Sequence, residues 1–90
     1  MRRTIIDLWS SWCIPCKAME PLLDKLEKEY EGKIEVQRIN TDQRPGEALY
    51  YGVRGVPTLI FYLDGKEQKR TVGAKSYKEL KEILNEIYNL

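Results

Sequence analysis

Apolar residues along the chain change their spacing several times, and each change marks an element. Thr4 to Trp9 (T-I-I-D-L-W) is short, almost wholly apolar and contains two β-branched isoleucines. That pattern predicts a strand buried on both faces. Beyond the turn-like Ser10-Ser11, Met19, Leu22, Leu23, Leu26 and Tyr30 recur at helical spacing with Lys and Glu on the other face, and Gly32 supplies a stop. Pro21 lies inside this helix, where it removes a hydrogen bond and should impose a kink. Ile34 to Asn40 (I-E-V-Q-R-I-N) predicts a second strand. Thr41 to Gly46 is turn-rich, and Pro45 opens a short helix through Tyr51. Pro57 to Leu63 (P-T-L-I-F-Y-L) predicts a third strand, and Asp64-Gly65 signals a two-residue hairpin that returns as a polar strand from Glu67 to Val72. Ser76 and Glu79 form a capping box ahead of Tyr77, Leu80, Ile83, Leu84 and Ile87, the stripe of a closing helix.

The order is β-α-β-α-β-β-α, an α/β fold in a single domain spanning residues 1–90. Helices between the early strands imply parallel pairing there, and the closing hairpin adds an antiparallel edge. Ninety residues form a small core, burying somewhat over ~60% of the unfolded surface. Fifteen basic residues stand against fourteen acidic ones, for a net charge of +1 and no run of like charge. Neither nucleic acid nor a membrane surface is therefore an expected partner. The longest strongly apolar run, Pro57 to Leu63, is far too short to span a bilayer. Asp7 interrupts the apolar stretch after the basic Met1-Arg2-Arg3, and no small-residue cleavage site follows, so no signal peptide is expected. The expected location is cytoplasmic and reducing, where a C-x-x-C pair is more often catalytic or metal-binding than structural.

The only two cysteines, Cys13 and Cys16, lie in W-C-I-P-C. Structural zinc ordinarily needs four Cys or His ligands, and the chain has no histidine. A metal site would therefore require two chains, and none is expected. A structural staple would close a loop too short to remove much chain entropy. A redox dithiol at a helix N-terminus is the favoured reading. There the helix dipole and the unpaired first-turn N–H groups would stabilise a Cys13 thiolate. Cys16, one turn further in and more shielded, would resolve the mixed disulfide. Pro15 suits the first turn, where its missing N–H costs little.

D-L-W-S-S-W-C-I-P-C-K resembles the active-site segment of the thioredoxin family, usually W-C-G-P-C-K. The resemblance continues through Pro21, R-I-N-T-D-Q (Arg38 to Gln43), Y-G-V-R-G-V-P-T-L (Tyr51 to Leu59), D-G-K and V-G-A (Val72 to Ala74). It implies a minimal thioredoxin fold, with a four-stranded mixed sheet flanked by helices, and a thiol–disulfide oxidoreductase. Cys13 would be the nucleophile and Cys16 the resolving thiol of a redox disulfide. It also implies that Asp7, a carboxylate in an apolar strand, helps Cys16 lose its proton; a structural ion pair with Arg38 is the competing account. Pro57 would be a cis-proline facing the cysteines, with Val56 offering its N–H and C=O to an extended substrate peptide. Trp12, Ile14, Pro15 and Gly73 complete the expected substrate surface. Gly55, Gly73 and Ala74 either keep that surface flat or serve turn geometry, and Trp9 is expected in the core. Tyr50, Tyr51 and Tyr62 carry no assigned role.

Two features depart from the family pattern. Ile14 replaces the usual glycine, stiffening the loop and placing apolar surface beside Cys13. The chain also begins at what would be the family's second strand, which would leave the Ile34–Asn40 strand as an open edge guarded by Glu35, Gln37 and Arg38. The expected form is a monomer, with an edge-strand dimer as the alternative. Expected partners are protein disulfides and a thioredoxin-reductase-type or other dithiol reductant. No bound cofactor is expected, because the cysteine pair itself carries two electrons. A glutaredoxin-like, glutathione-dependent enzyme and a non-catalytic binding module are the rival readings.

Overall fold

The computed structural model describes residues 1–90. Seven elements follow in order: β1 (Arg3–Trp9), α1 (Ile14–Glu29), β2 (Glu35–Asn40), α2 (Pro45–Tyr50), β3 (Thr58–Leu63), β4 (Lys66–Val72) and α3 (Tyr77–Tyr88). The four strands form one mixed sheet in the order β2-β1-β3-β4. Each element has the type expected from the apolar pattern. Pro57 falls just outside β3, consistent with its lacking an N–H for the ladder. Both halves of the capping box form on α3: Glu79 N–H donates to Ser76 Oγ, and Ser76 N–H donates to Glu79 Oε1.

The β1–β2 pair is parallel, as expected. The β1–β3 pair is antiparallel, so that relation reaches the centre of the sheet as well as the closing hairpin. The connection from β2 through α2 remains at the end of the sheet where β2 finishes, and β3 starts there. In consequence the end of β1, the end of β2, the start of β3 and the end of β4 converge, with Leu8 opposite Thr58 and Thr58 opposite Val72.

Alternation along β1 divides its side chains between two cores of unequal depth. Ile5 joins Met19, Leu23, Leu26, Leu59, Phe61, Leu80 and Leu84 in a cluster of 11 buried residues between the sheet, α1 and α3. Ile6 and Leu8 join Ile39 and Ile60 in a cluster of only 4, partly covered by Tyr51, Val53 and Tyr62. Asp7 shares the face of Ile5 and so lies under α1. That helix runs from Ile14 to Glu29 with Pro21 inside it. Trp9 is half-buried rather than fully in the core. β2 is an edge strand with Glu35, Gln37 and Arg38 exposed. No helix is long and apolar enough to cross a membrane.

Candidate active site

Cys13 is the residue on which α1 begins. It is the helix N-cap, with φ −89° and ψ 106°, and its Sγ accepts the Cys16 N–H at 3.1 Å. Its carbonyl accepts the Lys17 N–H at 3.2 Å, and its own N–H donates to the Ser10 carbonyl at 3.3 Å. A sulfur thus occupies the place usually taken by a Ser or Asp oxygen. Ile14 and Pro15 follow as the first two helical residues, where proline's missing N–H leaves no partner unsatisfied. Cys13 and Cys16 are joined as a disulfide with a Cα–Cα distance of 5.3 Å. The expected difference in shielding is absent, since Cys13 is 3% exposed and Cys16 4%. Bonding the sulfurs together places both under the same turn.

The parallel register anchors the turn that precedes the cysteines. Trp9 lies opposite Asn40, and Thr41 N–H and Oγ1 both donate to the Trp9 carbonyl. Two residues beyond this pair, Asp42 meets Ser11. One carboxylate oxygen of Asp42 accepts Ser11 N–H at 3.0 Å and Ser11 Oγ–H at 2.7 Å, and the other accepts Trp12 Nε1–H at 3.2 Å. These donors hold the Asp42 carboxyl below its ordinary pKa, with the Ser11 hydroxyl contributing most. Trp12 and Ile14, at 73% and 78% exposed, flank the disulfide, and Val72 is exposed with them at the end of β4.

Asp7 is buried in the middle of β1, opposite Arg38 on one side and Leu59 on the other. Burial pushes its carboxyl up to about 6. The positive charge of Arg38 opposes that rise and Glu20 adds to it. The competing account of a structural Asp7–Arg38 ion pair fails, because the Arg38 guanidinium instead bonds Asp24 and Glu27 of α1, at 2.9 and 2.8 Å. That geometry follows from the edge position of β2: a long side chain there reaches outward to partly exposed carboxylates at a small desolvation cost.

Pro57 is buried, and the Val56–Pro57 bond is cis. Its carbonyl accepts the Gly73 N–H at 2.8 Å, which ties the end of β4 to the start of β3. Gly73 has φ +96° and open space where a Cβ would stand, so the turn itself requires glycine there. A Cβ on Gly55 would meet Val72 Cγ1 at 3.4 Å, so the absence of a side chain leaves Val72 its position. Thr58 Oγ1 donates to the Gly55 carbonyl at 2.6 Å. The N–H and C=O of Val56 have no partner within the chain. Beside them lies a cleft of about 210 Å³ lined by Trp12, Val53, Arg54, Gly55 and Val56 among others. A larger cleft of about 810 Å³ runs along α3 near Tyr30, Tyr77 and Lys81, with neither cysteine in its lining. No three His, Cys, Asp or Glu side chains stand together as a metal-ligand set.

The structure therefore brings Cys13, Cys16, Trp12, Ile14, Pro15, Val56, Pro57 and Gly73 to one end of the sheet, with Asp7 beneath α1. Sequence reasoning did not single out Asp42, Ser11 or Arg54. The only local signal for Asp42 was an aspartate in the turn-rich T-D-Q segment after a strand.

Comparison with known proteins agrees with this geometry. A family model described as thioredoxin matches residues 1–86. The chloroplastic M-type thioredoxin of spinach is 44% identical over 70 residues, covering 78% of this chain and 39% of that protein. The pea M-type thioredoxin is 41% identical over 70 residues, covering 78% and 41%. A thioredoxin of Buchnera aphidicola is 39% identical over 85 residues, covering 94% of this chain and 79% of that one. The chain thus spans about two fifths of the plant relatives and about four fifths of the bacterial one.

Proposed function

The chain belongs to the thioredoxin family, and on that premise we propose that it is a thiol–disulfide oxidoreductase acting on protein disulfides. The observation that carries this reading is the Cys13 sulfur at the N-terminus of α1, accepting the Cys16 N–H at 3.1 Å. In the reduced protein that donor and the helix dipole favour the Cys13 thiolate, which makes it an attacking nucleophile near neutral pH.

Cys13 Sγ attacks one sulfur of the substrate disulfide and displaces the other as a thiolate, forming a mixed disulfide. Cys16 then loses its proton and attacks Cys13 Sγ, which closes the internal disulfide and releases the second substrate thiol. Two electrons pass from the dithiol to the substrate. Asp7, buried beneath α1 with its carboxyl pushed up to about 6, is ionised at neutral pH and takes the Cys16 proton. The unpartnered N–H and C=O of Val56 offer pairing to an extended peptide, Pro57 holds that segment in place, and Trp12, Ile14, Pro15 and Gly73 form the surface the substrate meets. A thioredoxin-reductase-type enzyme or another dithiol returns the pair to the reduced state. Residues 1–90 act as a single domain in a reducing compartment, the cytoplasm in this reading.

The test is a stoichiometric reaction. Reduced protein mixed with a substrate holding one accessible disulfide should release two substrate thiols for each Cys13–Cys16 pair oxidised. Retention of both protein thiols with no substrate thiol released would overturn the proposal.

A further inference from the structure

The cleft beside Val56 contains a single charged side chain, and that charge has no partner. Arg54 lines it together with Trp12, Thr41, Ala48, Val53, Gly55 and Val56. It is exposed and forms neither a salt bridge nor a side-chain hydrogen bond, unlike Arg2, Arg38, Arg44 and Arg70, each of which is paired with a carboxylate. The carboxylates close to it in sequence are already engaged. Glu47 is bonded to Arg44 at 3.0 Å. Asp42 has both oxygens committed to Ser11 and Trp12. Two residues along from Arg54, the N–H and C=O of Val56 are also free. The cleft thus combines an unpaired planar cation, an exposed indole and an unpaired stretch of backbone.

Resting on the oxidoreductase reading, we propose that Arg54 is a specificity-determining residue that selects substrates with an aspartate or glutamate beside the disulfide cysteine. An extended segment pairing with Val56 runs past Arg54, and a carboxylate on it accepts two N–H bonds from the guanidinium fork. A lysine on the same segment meets a like charge, and a neutral amide accepts less strongly. The exposed apolar side chains at this end of the sheet are Trp12, Ile14 and Val72. The favoured segment therefore carries one acidic residue in otherwise apolar surroundings. Because the site is open to solvent, the effect is of the size of an exposed ion pair, ~3-fold in KM, and it weakens as salt rises through about 0.1 M, where the screening length is ~10 Å.

Reduced protein is given three synthetic peptides, each closed by one disulfide and differing only in the residue beside the attacked cysteine: Asp, Asn or Lys. Single-turnover rates are measured at low and high ionic strength, and the ratio between peptides is compared within each protein. Wild type should favour Asp over Asn over Lys through KM at low salt, and the ratios should converge at high salt. Arg54→Gln should bring the Asp and Asn peptides together, Arg54→Glu should put Lys first, and Arg54→Lys should keep part of the preference. Equal rates on all three peptides by an active wild type, or an Asp preference retained by Arg54→Gln, overturns this inference alone. If wild type reduces none of the peptides, the oxidoreductase reading falls, and this inference with it.

Discussion

The two ends of the sheet contrast in how completely their polar groups are satisfied. At the hairpin end, Asp64 N–H donates to the Arg2 carbonyl at 2.7 Å, and Arg2 N–H donates to Asp64 Oδ1 at 2.6 Å. Tyr88 reaches from α3 to donate to the Tyr62 carbonyl at 2.7 Å, and Arg2 pairs with Glu35. Only Arg3 Nε is left buried without a partner there. At the cysteine end, Asp7 is buried with no ion pair, Ser10 Oγ is fully buried with no partner, and Val56 presents free backbone. Three large apolar side chains, Trp12, Ile14 and Val72, stand in solvent at this end. Both ends belong to the same four strands, so strand chemistry does not explain the contrast. On the proposed function the contrast follows from use: one end closes the fold, and the other retains groups that a substrate and a proton would satisfy.

The sharpest way to break this contrast is to remove the proposed nucleophile. Cys13→Ser should abolish disulfide reduction, and Cys16→Ser should accumulate a covalent mixed disulfide visible by mass spectrometry. Turnover surviving in Cys13→Ser would move the chemistry elsewhere.

Asp7→Asn comes next and acts on rate and stability in opposite directions. Resolution should slow by ~10²-fold, at the low end of what positioned proton transfer contributes. The stability effect follows from the raised pKa, about 6 against an ordinary 3.8. Below pH about 4 the carboxyl is protonated in both folded and unfolded chains, so it costs nothing. Between about 4 and about 6 the unfolded chain ionises first, and stability falls as pH rises. Above about 6 a penalty of about 3 kcal/mol is complete. Asparagine removes that penalty, so urea unfolding should show a gain near 3 kcal/mol at about pH 8 and little change at about pH 3. An equal gain at both pH values would show that ionisation is not the cause.

Opposite behaviour is expected at the satisfied end. Tyr88→Phe removes the hydroxyl that bonds the Tyr62 carbonyl and should cost about 1 kcal/mol, with turnover unchanged. The smallest effect belongs to Ser11→Ala. It deletes the 2.7 Å hydroxyl bond to Asp42 but keeps the backbone one, and should cost about 0.5 kcal/mol while loosening the Trp12 indole. Fluorescence anisotropy would read that mobility, and an unchanged value would mean that Asp42 holds Trp12 without help from Ser11.

Features written in local pattern were legible in the sequence. T-I-I-D-L-W gave a strand buried on both faces, Asp64-Gly65 gave the hairpin, and Ser76 with Glu79 gave a capping box that forms in both directions. The strand–turn–helix setting also led from W-C-I-P-C to a cysteine at the helix N-cap. What could not be read depends on partners distant in sequence. Asp42 bonds residues 31 and 30 positions away, and no periodicity records such a contact. Asp7 and Arg38 do sit opposite each other, yet strand register fixes only Cα positions, and the arginine side chain is long enough to choose α1. The antiparallel β1–β3 pair depends on which end of the sheet the β2–β3 connection returns to, and no local pattern records that.

Because the Cys16 amide proton rests on Cys13 Sγ, the protein carries an isotopic gauge of its own chemistry. The group that donates is backbone, while the atom that accepts is thiolate, thiol or disulfide in turn. The nitrogen resonance of Cys16 should therefore move each time the sulfur gains or loses charge. Labelling that one amide would let the state of Cys13 be followed in solution with no dye, no substrate and no change to the sequence.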